Sequence, residues 1–398
     1  MAEQEGVLAR LRRGHEERVL DLLRRHGALS RGELGRRSGL SRTTMHDIVS
    51  GLMANGAVLA SAPERVARGR GRPAESLSLN PAAGQAIGID FAHRRLHVAI
   101  VNVAHEIVGS ASEGHAADLP WQRRVEIADR LIGELSEGEV RLGALKAIGV
   151  GVVGPVGSPG EESAASRQLD AVPTVLRKRF GVPVLMDNNT RLAALAESIW
   201  GAAAGCQDVL YLRLSHGVGG GLVLGGSLHR GAHGVSGEFG HITVDPAGRP
   251  CRCGSRGCLE TIASVKGVLD AHREAGGRAR SLRSLVAALE AGDADVRDLL
   301  ARVGGHVGLV LAAVCNTVGP DLVVLGGEVA EVGGALTEPV EHALRAHAMP
   351  MIRRRLRVRQ ARLGEIGGAL GGIALVLHES PLLAGYPAAP DPDEGLRS

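Results

Sequence analysis

Residues 234–260 read GVSGEFGHITVDPAGRPCRCGSRGCLE, and within them His241, Cys251, Cys253 and Cys258 could share one metal ion. Three thiolates and an imidazole suit tetrahedral zinc, and a site closed by four protein ligands is structural rather than catalytic. Gly254 and Gly257 give the intervening backbone the freedom to wrap an ion. The other two cysteines, Cys206 and Cys315, stand alone and read as small core residues. The N-terminus, with Glu3 and Glu5, lacks the basic-then-apolar order of a secretion leader. Clustered cysteines without such a leader favour metal over disulfides and imply the cytoplasm.

A second polar set closes an apolar strand. VPVLMD (182–187) ends in Asp187-Asn188-Asn189, and a helix is expected over about 190–200. Two glycine-rich turns follow: SHGVGGG (215–221) between apolar strands 209–215 and 221–226, and Gly326-Gly327 inside LVVLGGEV (322–329). Backbone amides exposed by glycine can cradle phosphate, but the same residues serve any tight turn. Strand-turn-strand units at 87–103 and 209–226, a helix over 122–135 and a buried strand at 147–153 predict a duplicated α/β architecture.

The first eighty residues carry a different pattern. Val19, Leu20, Leu22 and Leu23 lie at helical spacing in 16–26, and Gly27 ends that helix. Ser30 and Glu33 have the spacing of a capping box, Gly39-Leu40 makes a tight turn, and Ser41 can cap a third helix that buries Met45, Ile48, Val49, Leu52 and Met53. This is the helix-turn-helix pattern, whose second helix enters the major groove with its first residues on base edges. Here those residues are Ser41, Arg42, Thr43, Thr44 and His46. Arg42 suits guanine, and Thr43 or Thr44 suits phosphate or a thymine methyl. Segments 57–62 and 76–79 read as the strands of a wing, and between them Arg70 and Arg72, in Arg-Gly-Arg-Gly-Arg-Pro, suit a narrow minor groove.

Charge follows the same division. The chain of 398 residues has a net charge of +3, yet residues 1–80 hold fourteen arginines, no lysine and nine acidic residues, a local +5. A basic module on a mildly acidic body fits a polyanion partner. No run of about 18 apolar residues suggests a membrane span, and the Pro- and charge-rich end, 386–398, reads as a disordered tail. The domain boundaries expected are 1–80 for the winged helix-turn-helix and 81–385 for the large α/β domain.

The stretch 237–260 resembles the signature of the ROK family of bacterial sugar kinases and sugar-responsive repressors, and the resemblance extends over about 16–380. It implies an actin-like (ribonuclease H-like) two-lobed ATPase-type domain with a sugar cleft between the lobes, and a homodimer or homotetramer. It also implies that Glu238, His241 and Glu260 contact sugar hydroxyls, that Asn188 does the same, and that Gly154-Pro155 lines the cleft. His241 could bind zinc through one ring nitrogen and offer the other to a sugar.

The chain departs from the family's kinases at two places. They carry aspartate as general base where this chain has Asn189, an amide that cannot take a proton at neutral pH. Their first phosphate loop is Asp-x-Gly-Gly-Thr-Lys, whereas Asp90-Phe91-Ala92-His93-Arg94 stands here, placing side chains where amides should approach phosphate. Segment 156–172 also lacks the family's Asn-Leu and aromatic cleft residues. Asn189 remains in the expected effector set. Arg191, which replaces a small polar residue, would favour a sugar phosphate if it faced the cleft, and a surface salt bridge explains it equally well. The expectation is a regulator that binds double-stranded DNA at a near-palindromic operator, answers to a sugar or sugar phosphate, and has no kinase activity. An active sugar kinase with a DNA-binding arm, and a constitutive regulator with a vestigial cleft, are the alternatives.

Overall fold

The computed structural model describes residues 7–54, 56–61, 75–80, 83–102, 105–136, 145–154, 156 and 164–379. The N-terminal segment forms α1 (Val7–His26), β1 (Leu29–Ser30), α2 (Arg31–Ser38), α3 (Arg42–Ala54), β2 (Val58–Ser61) and β3 (Ser76–Leu79). The capping box is present: Ser30 Oγ accepts from the Glu33 amide, the Glu33 carboxylate accepts from the Ser30 amide, and Gly39 ends α2 at φ 69°. Ser41 Oγ accepts from the Thr44 amide at 3.2 Å and so starts α3. The helices share one core with the strands, built on Val19, Leu23, Leu34, Ile48, Leu52 and Leu77. The wing has three strands, not two, because β1 pairs with β3 through Leu29 and Ser30. A two-residue strand has no periodicity of its own to be read.

The rest of the chain repeats one topology. The first repeat comprises β4 (Gln85–Phe91), β5 (Arg95–Asn102), β6 (Ile107–Gly114), α4 (Trp121–Ser136), β7 (Leu145–Val152), α5 (Ala164–Phe180) and β8 (Val184–Asn188), in a sheet of order β6-β5-β4-β7-β8. The second begins with α6 (Asn189–Ile199), β9 (Val209–Leu214), β10 (Val218–Leu224), β11 (Ser227–His229), α7 (Glu260–Ala263) and α8 (Val265–Glu274). It continues through α9 (Leu282–Glu290), α10 (Ala294–Val318), β12 (Leu322–Gly326), α11 (Gly334–His347), α12 (Pro350–Arg353), β13 (Arg357–Gln360) and α13 (Gly367–Glu379). Its sheet order is β11-β10-β9-β12-β13, with β9, β10 and β11 antiparallel and β12 parallel to both β9 and β13. Three meander strands followed by two crossover strands, used twice, are the ribonuclease H-like arrangement of an actin-like fold.

Inner strands are apolar throughout because both faces are covered. All seven residues of β4 and all five of β12 are buried. The edge strands β6 and β13 were not expected from sequence, since half of IVGSASEG and most of RVRQ are exposed and neither has a buried stripe. Helix α10 is long and apolar enough to cross a membrane, yet it is a core helix. Val303, Val307, Leu311 and Cys315 lie in the second unit's core, and a Cβ on Gly304 or Gly308 would meet backbone oxygens of α11 at 2.7 and 2.4 Å.

The chain divides into two compact units, one of Met1–Val150, Ala164–Met186 and Gly372–Ser398, the other of Gly151–Ser163 and Asp187–Gly371. The second unit carries every residue expected to hold metal or effector.

Candidate functional site

The donor cluster forms on a compact knuckle. A short 3-10 turn, Phe239–His241, presents His241, and two isolated bridges, Thr243 to Cys258 and Pro250 to Arg256, close the loop that carries the thiols. The Cys251 amide donates to Ser255 O at 2.8 Å, and the Gly257 amide to Arg249 O at 2.8 Å. Gly257 has φ 57°, and a Cβ there would stand 1.5 Å from Asp245 O, so this glycine is required twice over. The ligand atoms of His241, Cys251, Cys253 and Cys258 all lie within 4.8 Å of one another. His241 Nδ1 is 3.5 Å from Cys251 Sγ, and the sulfurs of Cys253 and Cys258 are 3.7 Å apart. Bonds of about 2.3 Å to a tetrahedral centre place sulfur ligands about 3.8 Å apart, so the cluster could hold such a metal.

Burial divides the thiols. Desolvation pushes the Cys258 thiol up to about 12, whereas hydrogen bonding, first to the backbone of Ser255, lowers exposed Cys253 below the ordinary thiol value. A metal would have to displace protons to enter.

His241 turns its other nitrogen outward: Nε2 lies 3.9 Å from Glu238 Oε2, and the Glu238 carboxylate is half-exposed. These two groups remain available to a ligand. Glu260 is buried and engaged. Its Oε2 accepts from the Val218 amide at 3.0 Å, and its Oε1 faces Arg252 Nε at 3.0 Å. It therefore joins the knuckle to the start of β10, and a ligand hydroxyl would have to share its oxygens.

Asn188 is also committed internally. Its Oδ1 caps α6 by accepting from the amides of Thr190 and Arg191, and its Nδ2 donates to Gly154 O at 2.8 Å. Asn189 is buried at the first turn of α6. The next residue, Thr190, lies against Gly219, and the Gly220 amide donates to Gly237 O beside Glu238. Through β10, the fold thus brings the α6 terminus and the knuckle together.

Most of the 215–221 glycines lie in β10, not in a loop. A Cβ on Gly220 would be 2.2 Å from the Phe239 ring, and one on Gly221 2.6 Å from Ala194 Cβ. Close packing on both sheet faces, not phosphate, accounts for these two. Phe91 likewise faces inward, with its ring 5.3 Å from Trp121 and edge-on, so its side chain does not stand in the 92–94 turn.

Arg191 is neither a surface salt bridge nor a free cation. It is 1% exposed; its Nε and Nη2 contact Asp187 Oδ1 at 2.8 and 2.6 Å, and Arg230 Nε holds Asp187 Oδ2 at 2.6 Å. The rest of the guanidinium donates to Gly234 O at 2.5 Å, to Val156 O at 3.2 Å and, longer, to Ser236 O at 3.4 Å. One side chain therefore ties α6 to the loop that follows β7 and to the loop that precedes Glu238. Nothing local in the sequence marks this role, because its partners lie up to 45 residues away.

In the N-terminal segment, Ser41, Arg42, Thr43 and His46 are exposed on one end and face of α3, while Thr44 is half-buried and shares a hydrogen bond with Ser41 Oγ. Sequence reading missed Arg31, which lies beside His46 and pairs with Glu75. Arg70, Arg72, Pro155 and the 386–398 tail lie outside the described residues, as does much of segment 156–172, whose described part is Val156 and the start of α5.

A family model described as the ROK family matches residues 86–379. The chain is 26% identical to the DNA-binding transcriptional repressor Mlc of Escherichia coli over 395 residues, 94% of this chain and 95% of that protein. It is 34% identical to a glucokinase of Halalkalibacterium halodurans, but over 50% of this chain and 66% of the glucokinase. A solved ROK family transcriptional regulator, described as a homolog of the same E. coli repressor, covers 94% of this chain and 98% of its own, with a TM-score of 0.76 and 25% identity.

Proposed function

The chain belongs to the ROK family, and on that premise we propose that it is a sequence-specific DNA-binding transcriptional regulator, a repressor of carbohydrate-related genes that has lost kinase activity and answers to a sugar or sugar-derivative effector. The observation that carries this reading is the N-terminal helix-turn-helix, whose α3 leaves Ser41, Arg42, Thr43 and His46 open to a partner. Likeness to the repressor along almost the full chain supports it, whereas likeness to the glucokinase is confined to half. Arg42 pairs with a guanine edge, and Arg70 and Arg72 reach the minor groove. A homodimer or homotetramer sets two such helices in successive major grooves of a near-palindromic operator. The protein works in the cytoplasm.

Zinc is the metal proposed for the knuckle, held by His241 Nδ1 and the thiolates of Cys251, Cys253 and Cys258; it cross-links the loop and supplies no chemistry to a substrate. Glu238 and His241 Nε2 take sugar hydroxyls as acceptor and polar partner, with Asn188, Asn189 and Glu260 completing the wall. Such an effector acts only if it prefers one arrangement of the recognition helices over another. Kinase activity is absent because Asn189 cannot take a proton from an attacking hydroxyl. The prior engagement of Asn188 and Glu260 favours, as the second reading, a constitutive regulator whose effector site is vestigial.

The test is thermal melting of the zinc-loaded protein against sugars, amino sugars and their phosphates, beside in vitro selection of operator DNA and an ATP-turnover assay. A ligand at 100 times its dissociation constant stabilises by about 2.7 kcal/mol. Selection of a palindromic site with release by the stabilising sugar is the expected result. Sugar-dependent ATP turnover overturns the loss of kinase activity, and operator binding with no response to any ligand supports the vestigial site.

A further inference from the structure

Arg31 opens α2, and its guanidinium bridges two other elements. Nε and Nη2 donate to Glu75 Oε2, both at 3.2 Å, where the chain enters β3. Nη1 lies 3.4 Å from Nδ1 of His46, one helical turn into α3. A guanidinium carries only donors and stays charged. In that contact Nδ1 is therefore the acceptor, and the ring hydrogen sits on Nε2. Glu75 fixes Arg31, and Arg31 in turn fixes the tautomer.

We infer that His46 reads DNA as a hydrogen-bond donor through Nε2–H, and that Arg31, held by Glu75, is the positioning residue that imposes this polarity. The inference rests on α3 being the recognition helix. His46 is exposed on that helix, on the same side as Arg42 and Thr43. In the major groove guanine offers two adjacent acceptors, N7 and O6, adenine sets a donor beside its acceptor, and cytosine presents a donor. A fixed donor at this position favours acceptor edges, guanine with its two acceptors ahead of thymine with O4 alone, and disfavours cytosine. An unfixed imidazole would present a donor in one tautomer and an acceptor in the other, and would distinguish the two poorly.

The experiment uses the full chain in two readouts. Side-chain nitrogen NMR of histidine-labelled protein, without DNA, reports the tautomer: Nε2–H in the wild type, and a mixture in Arg31→Ala and Glu75→Gln. In vitro selection from randomised DNA reports the reading: one guanine-preferring position in each half-site. His46→Ala removes the preference there, about a fivefold loss of discrimination, and leaves other positions unchanged. Arg31→Ala keeps the position but admits cytosine. Melting temperatures of the variants check that the helix-turn-helix remains folded. If His46→Ala changes no position, or if Arg31→Ala leaves the tautomer as it was, the inference is overturned while DNA reading by α3 stands. If the wild type selects no sequence, both fail.

Discussion

Replacing Arg191 by alanine removes a side chain whose guanidinium is fully enclosed and bonded to one carboxylate and to backbone carbonyls in two loops. Breaking a buried ion pair by deleting one partner costs about 3–5 kcal/mol, because the other charge is left without compensation. Asp187 would not be abandoned, since Arg230 Nε stays at 2.6 Å from Oδ2 and the Asn188 amide at 2.7 Å from Oδ1. The lower end, about 3 kcal/mol, is therefore expected. For a unit of this size it lowers the melting temperature by about 6–12 °C. Differential scanning calorimetry of the zinc-loaded chain reads it, and the loss should fall on the transition of the second unit. Arg191→Lys should recover part of the loss, because an ammonium keeps the charge but lacks the planar fork that reaches Asp187 and the two loops together. A loss below about 1 kcal/mol, or full recovery by lysine, would refute the view that this geometry, and not charge alone, staples α6 to the loops.

Chelation, or Cys258→Ser, should melt the second unit while the helix-turn-helix survives, since the latter has a separate core; circular dichroism with a DNA-binding readout separates the two. Gly257→Ala should abolish metal uptake, measured as bound metal per chain, because its Cβ cannot coexist with Asp245 O. Ser30→Ala should destabilise the helix-turn-helix by about 1 kcal/mol on denaturant titration. The Ser30 hydroxyl and amide hold Glu33 below the usual carboxylate value, so the contribution of that carboxylate is present above its unfolded pKa and fades as pH falls through the lowered one. In Ser30→Ala, NMR titration should find Glu33 moved back up.

Features whose partners lie a few residues apart were legible from sequence. Ser30 and Glu33 cap a helix because a three-residue offset brings side chain to amide in any helix start. Cys251, Cys253, Cys258 and His241 could be grouped because eighteen residues of loop with two well-placed glycines leave few other outcomes. That residue 189 is an asparagine, an amide that takes no proton at neutral pH, is a matter of residue type alone and needs no coordinates. What tertiary structure decided is which way a side chain points and what meets it. Arg191 became a buried staple instead of a surface charge once two loops closed on it, and Phe91 turned to Trp121 and away from its turn. The glycines of β10 proved to be packing positions because Phe239 and Ala194 press on the sheet from elements that come later and earlier in the chain. The contact of His46 with Arg31, itself held by Glu75, also came from packing, since Glu75 lies 29 residues beyond His46 in sequence. Periodicity reports which face of an element is apolar; it carries no record of which other element will cover that face, and that assignment is made only when the chain packs.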